Sequence, residues 1–161
     1  MEMRSARSVT LLLLCIAIPL IVGIAGSVVT AGSIPIWYAA LEKPAFNPPN
    51  WTFGPVWTTL YILMGISLYL VLKSGMANPL VRQGIVLFAI QLGANFLWSV
   101  LFFGMHAILF AFLEILILFG LIAAMMITFF HITKPAGWLL VPYLCWVAIA
   151  AVLNATIWML N

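Results

Sequence analysis

Residues 35–61 read PIWYAALEKPAFNPPNWTFGPVWTTLY. Long apolar runs lie on both sides of this stretch, which is itself broken by prolines and dense in tryptophan. Proline removes a backbone donor and blocks regular helix, so the segment belongs outside a hydrocarbon layer. It is no flexible linker, because a linker would be rich in Gly and Ser. Trp37, Trp51 and Trp57 instead carry large aromatic surfaces that favour burial. The stretch therefore reads as a structured cap lying over something.

The rest of the chain says what lies beneath. Of 161 residues, 66% are hydrophobic and 6% charged, where a soluble domain carries about 25% charged residues. With a mean hydropathy of +1.27 the chain reads as an integral membrane protein. Five apolar segments stand out, at 9–30, 55–72, 83–103, 107–130 and 138–160. At about 1.5 Å per residue each is long enough to cross about 30 Å of hydrocarbon. The first is about twice as long as a signal-peptide core, so it reads as a retained helix. The fold class is all-α: a five-transmembrane-helix bundle with a structured loop between helices 1 and 2, as one membrane domain over 1–161.

The six basic residues are scattered and make no patch for nucleic acid. They read as topology markers. Arg4, Arg7, Lys73, Arg82 and Lys134 fall on the side of the N-terminus, and Lys43 on the other. This predicts a cytoplasmic N-terminus, an outward-facing cap and a multi-pass protein of the cell membrane.

Polar residues inside such spans are informative because they are expensive there. Gln91, Asn95 and Trp98 share one face of the third helix, either as pocket lining or as bonds between helices. Ala89 and Gly93 lie on the opposite face, a pair of small residues suited to close packing and to a homodimer through helix 3. In the second helix Trp57, Tyr61 and Met64 share a face. In the fifth, Trp138, Pro142, Trp146 and Ala150 recur every four residues. Trp138 sits at a membrane end, where indoles anchor to the interface. Trp146 lies too deep for that, so its N–H needs an internal partner or a ligand. Glu114 reads either as a proton or ligand site, or as a neutral carboxyl bonded to backbone or amide. Cys15 and Cys145 read as small buried hydrophobes. His106 and His131 fall at opposite membrane ends and cannot share a metal. The sequence holds no nucleophile triad, carboxylate pair, metal-ligand spacing or phosphate loop, so no metal is expected. An aromatic interior with a few amides suits a large, flat, mostly apolar ligand.

These residues resemble the TspO/MBR family, the tryptophan-rich sensory proteins and translocator (peripheral benzodiazepine receptor) proteins. The resemblance rests on GSVVT at 26–30 and WYAALEKPAFNPPNWTFGPVWTTLYILMG at 37–65, with QLGANFLWSVLFFG at 91–104 and WLLVPYLCWVAIAAVLN at 138–154. It implies a five-helix, commonly dimeric membrane protein that binds porphyrin or haem and needs no cofactor. The implied role is tetrapyrrole transport, scavenging or stress sensing. Two alternatives stay open: light-dependent oxidative degradation of protoporphyrin, and a non-catalytic scaffold with a lipid-filled pocket. Carried over by position, the family's ligand-binding residues fall on Tyr38, Trp51, Trp57, Asn95, Trp98, Trp138, Pro142 and Trp146. The tryptophans tied to porphyrin photochemistry fall on Trp57 and Trp146. The family's sterol-recognition segment needs a basic residue after its tyrosine, and none follows Tyr143, which argues against sterol.

Overall fold

The computed structural model describes residues 2–161, with side chains from Ser8 onward. The side chains of Arg4 and Arg7, which entered the orientation argument, lie outside that set. Among the described residues five helices are long and apolar enough to cross a membrane. They are α1 (Glu2–Ala31), α2 (Asn50–Lys73), α3 (Pro79–Ser99), α4 (Ile108–Ile132) and α5 (Lys134–Leu160). The chain is an all-helical, multi-pass integral membrane protein.

Local chemistry sets the helix starts. Pro79 occupies the first turn of α3, where its missing N–H costs nothing, and the Asn78 side chain caps the turn by accepting from the Leu80 N–H at 3.0 Å. Lys134 and Pro135 open α5 in the same way, with proline in the first turn. Between α2 and α3, Gly75 takes a φ of +91°, a left-handed backbone that favours glycine.

The helices pack in the order α1, α2, α5, α4, α3 around the bundle, with α1 closing against α3. Small residues allow the tightest approaches. A Cβ on Gly65 of α2 would overlap the Ile16 Cα of α1 and lie 2.7 Å from the Cys15 carbonyl oxygen. Gly23 of α1 makes room for the Tyr61 ring in the same manner. The core below the cap is apolar, built on Met64, Val71, Leu118, Ile122, Met125, Phe129 and Leu140, all nearly or fully buried. Ser67 ties α2 to the start of α5 through a 2.7 Å bond to the Ala136 carbonyl.

The cap, read as a proline-broken structured segment, is helical in part. Ile34–Tyr38 forms a π-helical turn, because Pro35 falls in its first turn, where proline is tolerated. A second π-helical turn, Val100–Gly104, follows α3 directly. Only 41–49 is irregular, and α2 begins at Asn50, so Trp51 stands on the first turn of α2 rather than on the cap.

Side chains pin this cap down. The Asn161 amide accepts from the Glu42 N–H at 3.0 Å and donates to the Glu42 carbonyl at 3.1 Å, pairing as a strand would. Tyr38 donates to Asn47 Oδ1 at 3.0 Å. Burial pushes the Tyr38 phenol above its ordinary pKa, against the pull of that bond, so it remains a donor at neutral pH. Lys43 caps the carbonyl of Leu41 at 2.7 Å and lies 4.9 Å over the Tyr38 ring. Trp37 stacks on His106 at 4.2 Å, which joins the cap to the turn before α4.

Candidate functional site

Beneath the cap the helices line a partly open cavity of about 420 Å³, inside the range of about 300–1,000 Å³ common for small-molecule sites. Gly23, Ser27 and Thr30 of α1 form one wall. Phe53, Trp57 and Tyr61 of α2 form the next, and Trp146, Ala150 and Asn154 of α5 another. Asn95 and Trp98 of α3 continue into Phe102 and Phe103 of the second π-helical turn, and Tyr38 with Asn47 roofs the space. No α4 residue lines the cavity, so α4 acts as a brace behind α3 and α5.

A chain of hydrogen bonds fixes the floor. Tyr61 donates to Asn95 Oδ1 at 2.8 Å, and Asn95 Nδ2 donates to the Tyr143 hydroxyl at 3.1 Å. Tyr143 donates in turn to Gln91 Oε1 at 2.9 Å, and Gln91 Nε2 points at the Met64 sulfur at 3.8 Å. The chain joins α2, α3 and α5 with each amide used at both ends, as buried polar groups require. Both readings of the α3 amides thus hold in part. Asn95 bonds between helices and also lines the cavity, whereas Gln91 is fully buried and only bonds.

The aromatic walls are ordered as well. Trp98 stacks on Phe102 at 5.1 Å, and its indole N–H donates to Asn154 Oδ1 at 3.0 Å. Asn154 Nδ2 donates to the Ile108 carbonyl at 3.0 Å. Trp57 meets Tyr61 at 5.5 Å and Tyr143 edge-on at 6.1 Å. Phe53 meets Trp146 edge-on at 5.9 Å. The Trp146 indole nitrogen is buried and has no hydrogen-bond partner within the protein. A buried N–H without an acceptor is costly, and this one belongs to a cavity wall.

Of the residues singled out from sequence, Tyr38, Trp57, Asn95, Trp98 and Trp146 come together here. Trp51, Trp138 and Pro142 do not line the cavity. Trp51 is 75% exposed, because the early start of α2 turns its indole outward. Trp138 is 65% exposed and packs edge-on against Phe130, near the start of α5 and far along the helix from the cap. Pro142 faces outward as well. The reason is helical pitch: each step of four residues advances about 40° past a full turn, since 3.6 residues complete one. The row from Trp138 to Ala150 therefore winds from the lipid side to the interior.

Two further expectations need correcting. Cys15 is buried, but Cys145 is exposed on the outer face of α5. Glu114 is 7% exposed, yet neither carboxyl oxygen has a hydrogen-bond partner, so the bond to backbone or amide in the second of its two readings is not made. Sequence reading missed Phe53, Phe102 and Asn154. The first two lie among other aromatics that gave no phase, and Asn154 stands apart from the other amides, near the end of α5.

The chain is 47% identical to the tryptophan-rich protein TspO of Chlorobaculum tepidum, over 96% of this chain and 98% of that one. It is 45% identical to the tryptophan-rich protein TspO of Archaeoglobus fulgidus, over 88% and 91%. It is 38% identical to the translocator protein of Homo sapiens, over 76% and 73%. With residues 15–159 matching its family pattern, the chain belongs to the TspO/MBR family.

Proposed function

We propose that this protein binds a tetrapyrrole, porphyrin or haem, in the cavity beneath its cap, and serves tetrapyrrole transport, scavenging or stress sensing. The observation that carries the reading is the buried, unpartnered indole N–H of Trp146 in a cavity lined largely by aromatic and aliphatic side chains. A tetrapyrrole offers broad apolar faces for Trp57, Trp98 and Phe102, and polar edge groups that can accept one such N–H. Titration of the purified protein with protoporphyrin and haem, read by absorbance and tryptophan quenching, tests it. Saturable one-site binding is the expected result, and Trp146→Ala should weaken it by about 1–3 kcal/mol. Unsaturable, detergent-like partitioning would leave a scaffold with a lipid-filled pocket.

A second reading is light-dependent oxidation of bound protoporphyrin, favoured by Trp57 and Trp146 lining the same cavity. Both indoles are oxidisable, and phenylalanine keeps the ring while removing that chemistry. In the illuminated titration, Trp57→Phe and Trp146→Phe should slow loss of the porphyrin Soret band beyond a free-porphyrin control. Equal bleaching in all three proteins rules that reading out.

The exposed Ala89 and Gly93 support a homodimer through α3. A Cβ on Gly93 would meet nothing within 4 Å inside the protomer. Gly93→Leu should therefore shift crosslinked protein toward monomer and leave porphyrin affinity unchanged, and an unaltered dimer fraction would exclude this face.

Lys73, Arg82 and Lys134 lie at one end of the bundle and Lys43 at the other, which supports a cytoplasmic N-terminus. An impermeant thiol reagent applied to intact cells should label Phe46→Cys and spare Ser74→Cys. The reverse pattern inverts the topology.

A further inference from the structure

A second space of about 430 Å³ lies on the outer side of the bundle, in a groove between α2 and α5. Leu60, Leu63 and Ile149 make it apolar, and Cys145 opens onto it. Among the described residues, Trp146 is the one residue that lines both this groove and the cavity beneath the cap. Its indole is thus the partition between the two spaces.

We propose that the groove is a lateral portal, through which a flat apolar ligand passes from the bilayer into the cavity when the Trp146 side chain swings aside. The inference rests on the tetrapyrrole reading above for its ligand, and adds the route.

Three features favour movement at this point. Trp146 makes no hydrogen bond within the protein, so turning it breaks none, whereas Trp98 is held by Asn154. Pro55 and Pro142 both line the groove, one on each bordering helix. Each lacks the N–H that would bond four residues back, which loosens its helix where the two must part. The occupant is set by chemistry: the groove is apolar and faces acyl chains, where a porphyrin or similar ring already partitions.

One competing route runs through the cap. There the chain is held by both Asn161–Glu42 bonds, by Tyr38–Asn47 and by the Trp37–His106 stack. Opening the cap breaks these contacts together, while opening the portal turns one side chain that makes no hydrogen bond and gives up its edge-on contact with Phe53.

Cys145 supplies the test in the folded, unmutated protein, because its thiol is exposed and Cys15 is buried. Protein in lipid nanodiscs is reacted with a bulky maleimide, and mass spectrometry verifies a single adduct on Cys145. Protoporphyrin is then delivered from lipid vesicles, and uptake and release are followed by tryptophan quenching. The adduct is expected to slow both rates by about tenfold and leave the equilibrium affinity nearly unchanged, since it blocks a path and not the site. Asn161→Ala, which frees the cap, should leave both rates unchanged. Unchanged rates in the adduct, or faster uptake in Asn161→Ala, overturn the portal while saturable binding stands. No saturable quenching in the unmodified protein overturns the tetrapyrrole reading and the portal with it.

Discussion

Gly65→Ala is expected to separate α1 from the bundle at a cost of about 3 kcal/mol, the upper range for overpacking a well-filled interior. The added Cβ would meet backbone, namely the Ile16 Cα, the Ile16 nitrogen at 2.8 Å and the Cys15 carbonyl at 2.7 Å. Backbone cannot rotate away as a side chain can, so the helices themselves must move. Alanine is favoured over glycine inside a helix by about 0.8–1 kcal/mol, and the overlap outweighs that gain. Gly93→Ala is the matched control, where the same Cβ meets nothing within 4 Å. Thermal unfolding in detergent should fall sharply for the first and hold or rise for the second. Equal unfolding midpoints would mean that α1 does not pack on α2 as described. Because α1 forms one cavity wall, Gly65→Ala should also weaken ligand binding.

Asn95→Leu is the second large effect. It removes two bonds between helices, from Tyr61 and to Tyr143. Measured bonds of this kind within membranes are worth about 0.6–1.7 kcal/mol each, which gives about 1–3 kcal/mol in all. The Tyr143 hydroxyl keeps Gln91 as acceptor, so the orphaned group is the Tyr61 hydroxyl. Changing Tyr61 to phenylalanine in the Asn95→Leu background should then restore part of the loss, because an apolar pair leaves nothing unsatisfied. Detergent unfolding curves of the single and double variants decide it. A double variant less stable than Asn95→Leu alone would mean that Tyr61 finds another acceptor.

Much of this architecture could be read from residues alone, and the reasons are physical. Span number follows from hydropathy, which depends on length and not on contacts. The shared face of Gln91, Asn95 and Trp98 follows from pitch over less than two turns, where the phase error stays small. Over the twelve residues from Trp138 to Ala150 the same error grows to about a third of a turn, so Trp138 and Pro142, which the family resemblance places with Trp146, face outward. Trp51 is carried over from the family pattern, while the second apolar segment is read from 55; proline just before a helix is compatible with its start, and α2 begins at Asn50. The π-helical turns carry no sequence period that would reveal them. Cys145 showed no signal either way, since a lipid-facing residue is as apolar as a buried one.

The hydrogen-bond chain across the floor also sets what a synthetic ligand can gain. Tyr61, Tyr38 and Trp98 already donate to partners within the protein, as do the hydroxyls of Ser27 and Thr30. A cavity whose walls carry many polar side chains on paper is therefore, to a guest, close to a hydrocarbon box with few tethering points. An inhibitor chemist would aim acceptors, carbonyls for instance, at the Trp57 and Trp146 nitrogens and leave the remainder aromatic. Extra polar groups would lose their hydration and find no partner in return.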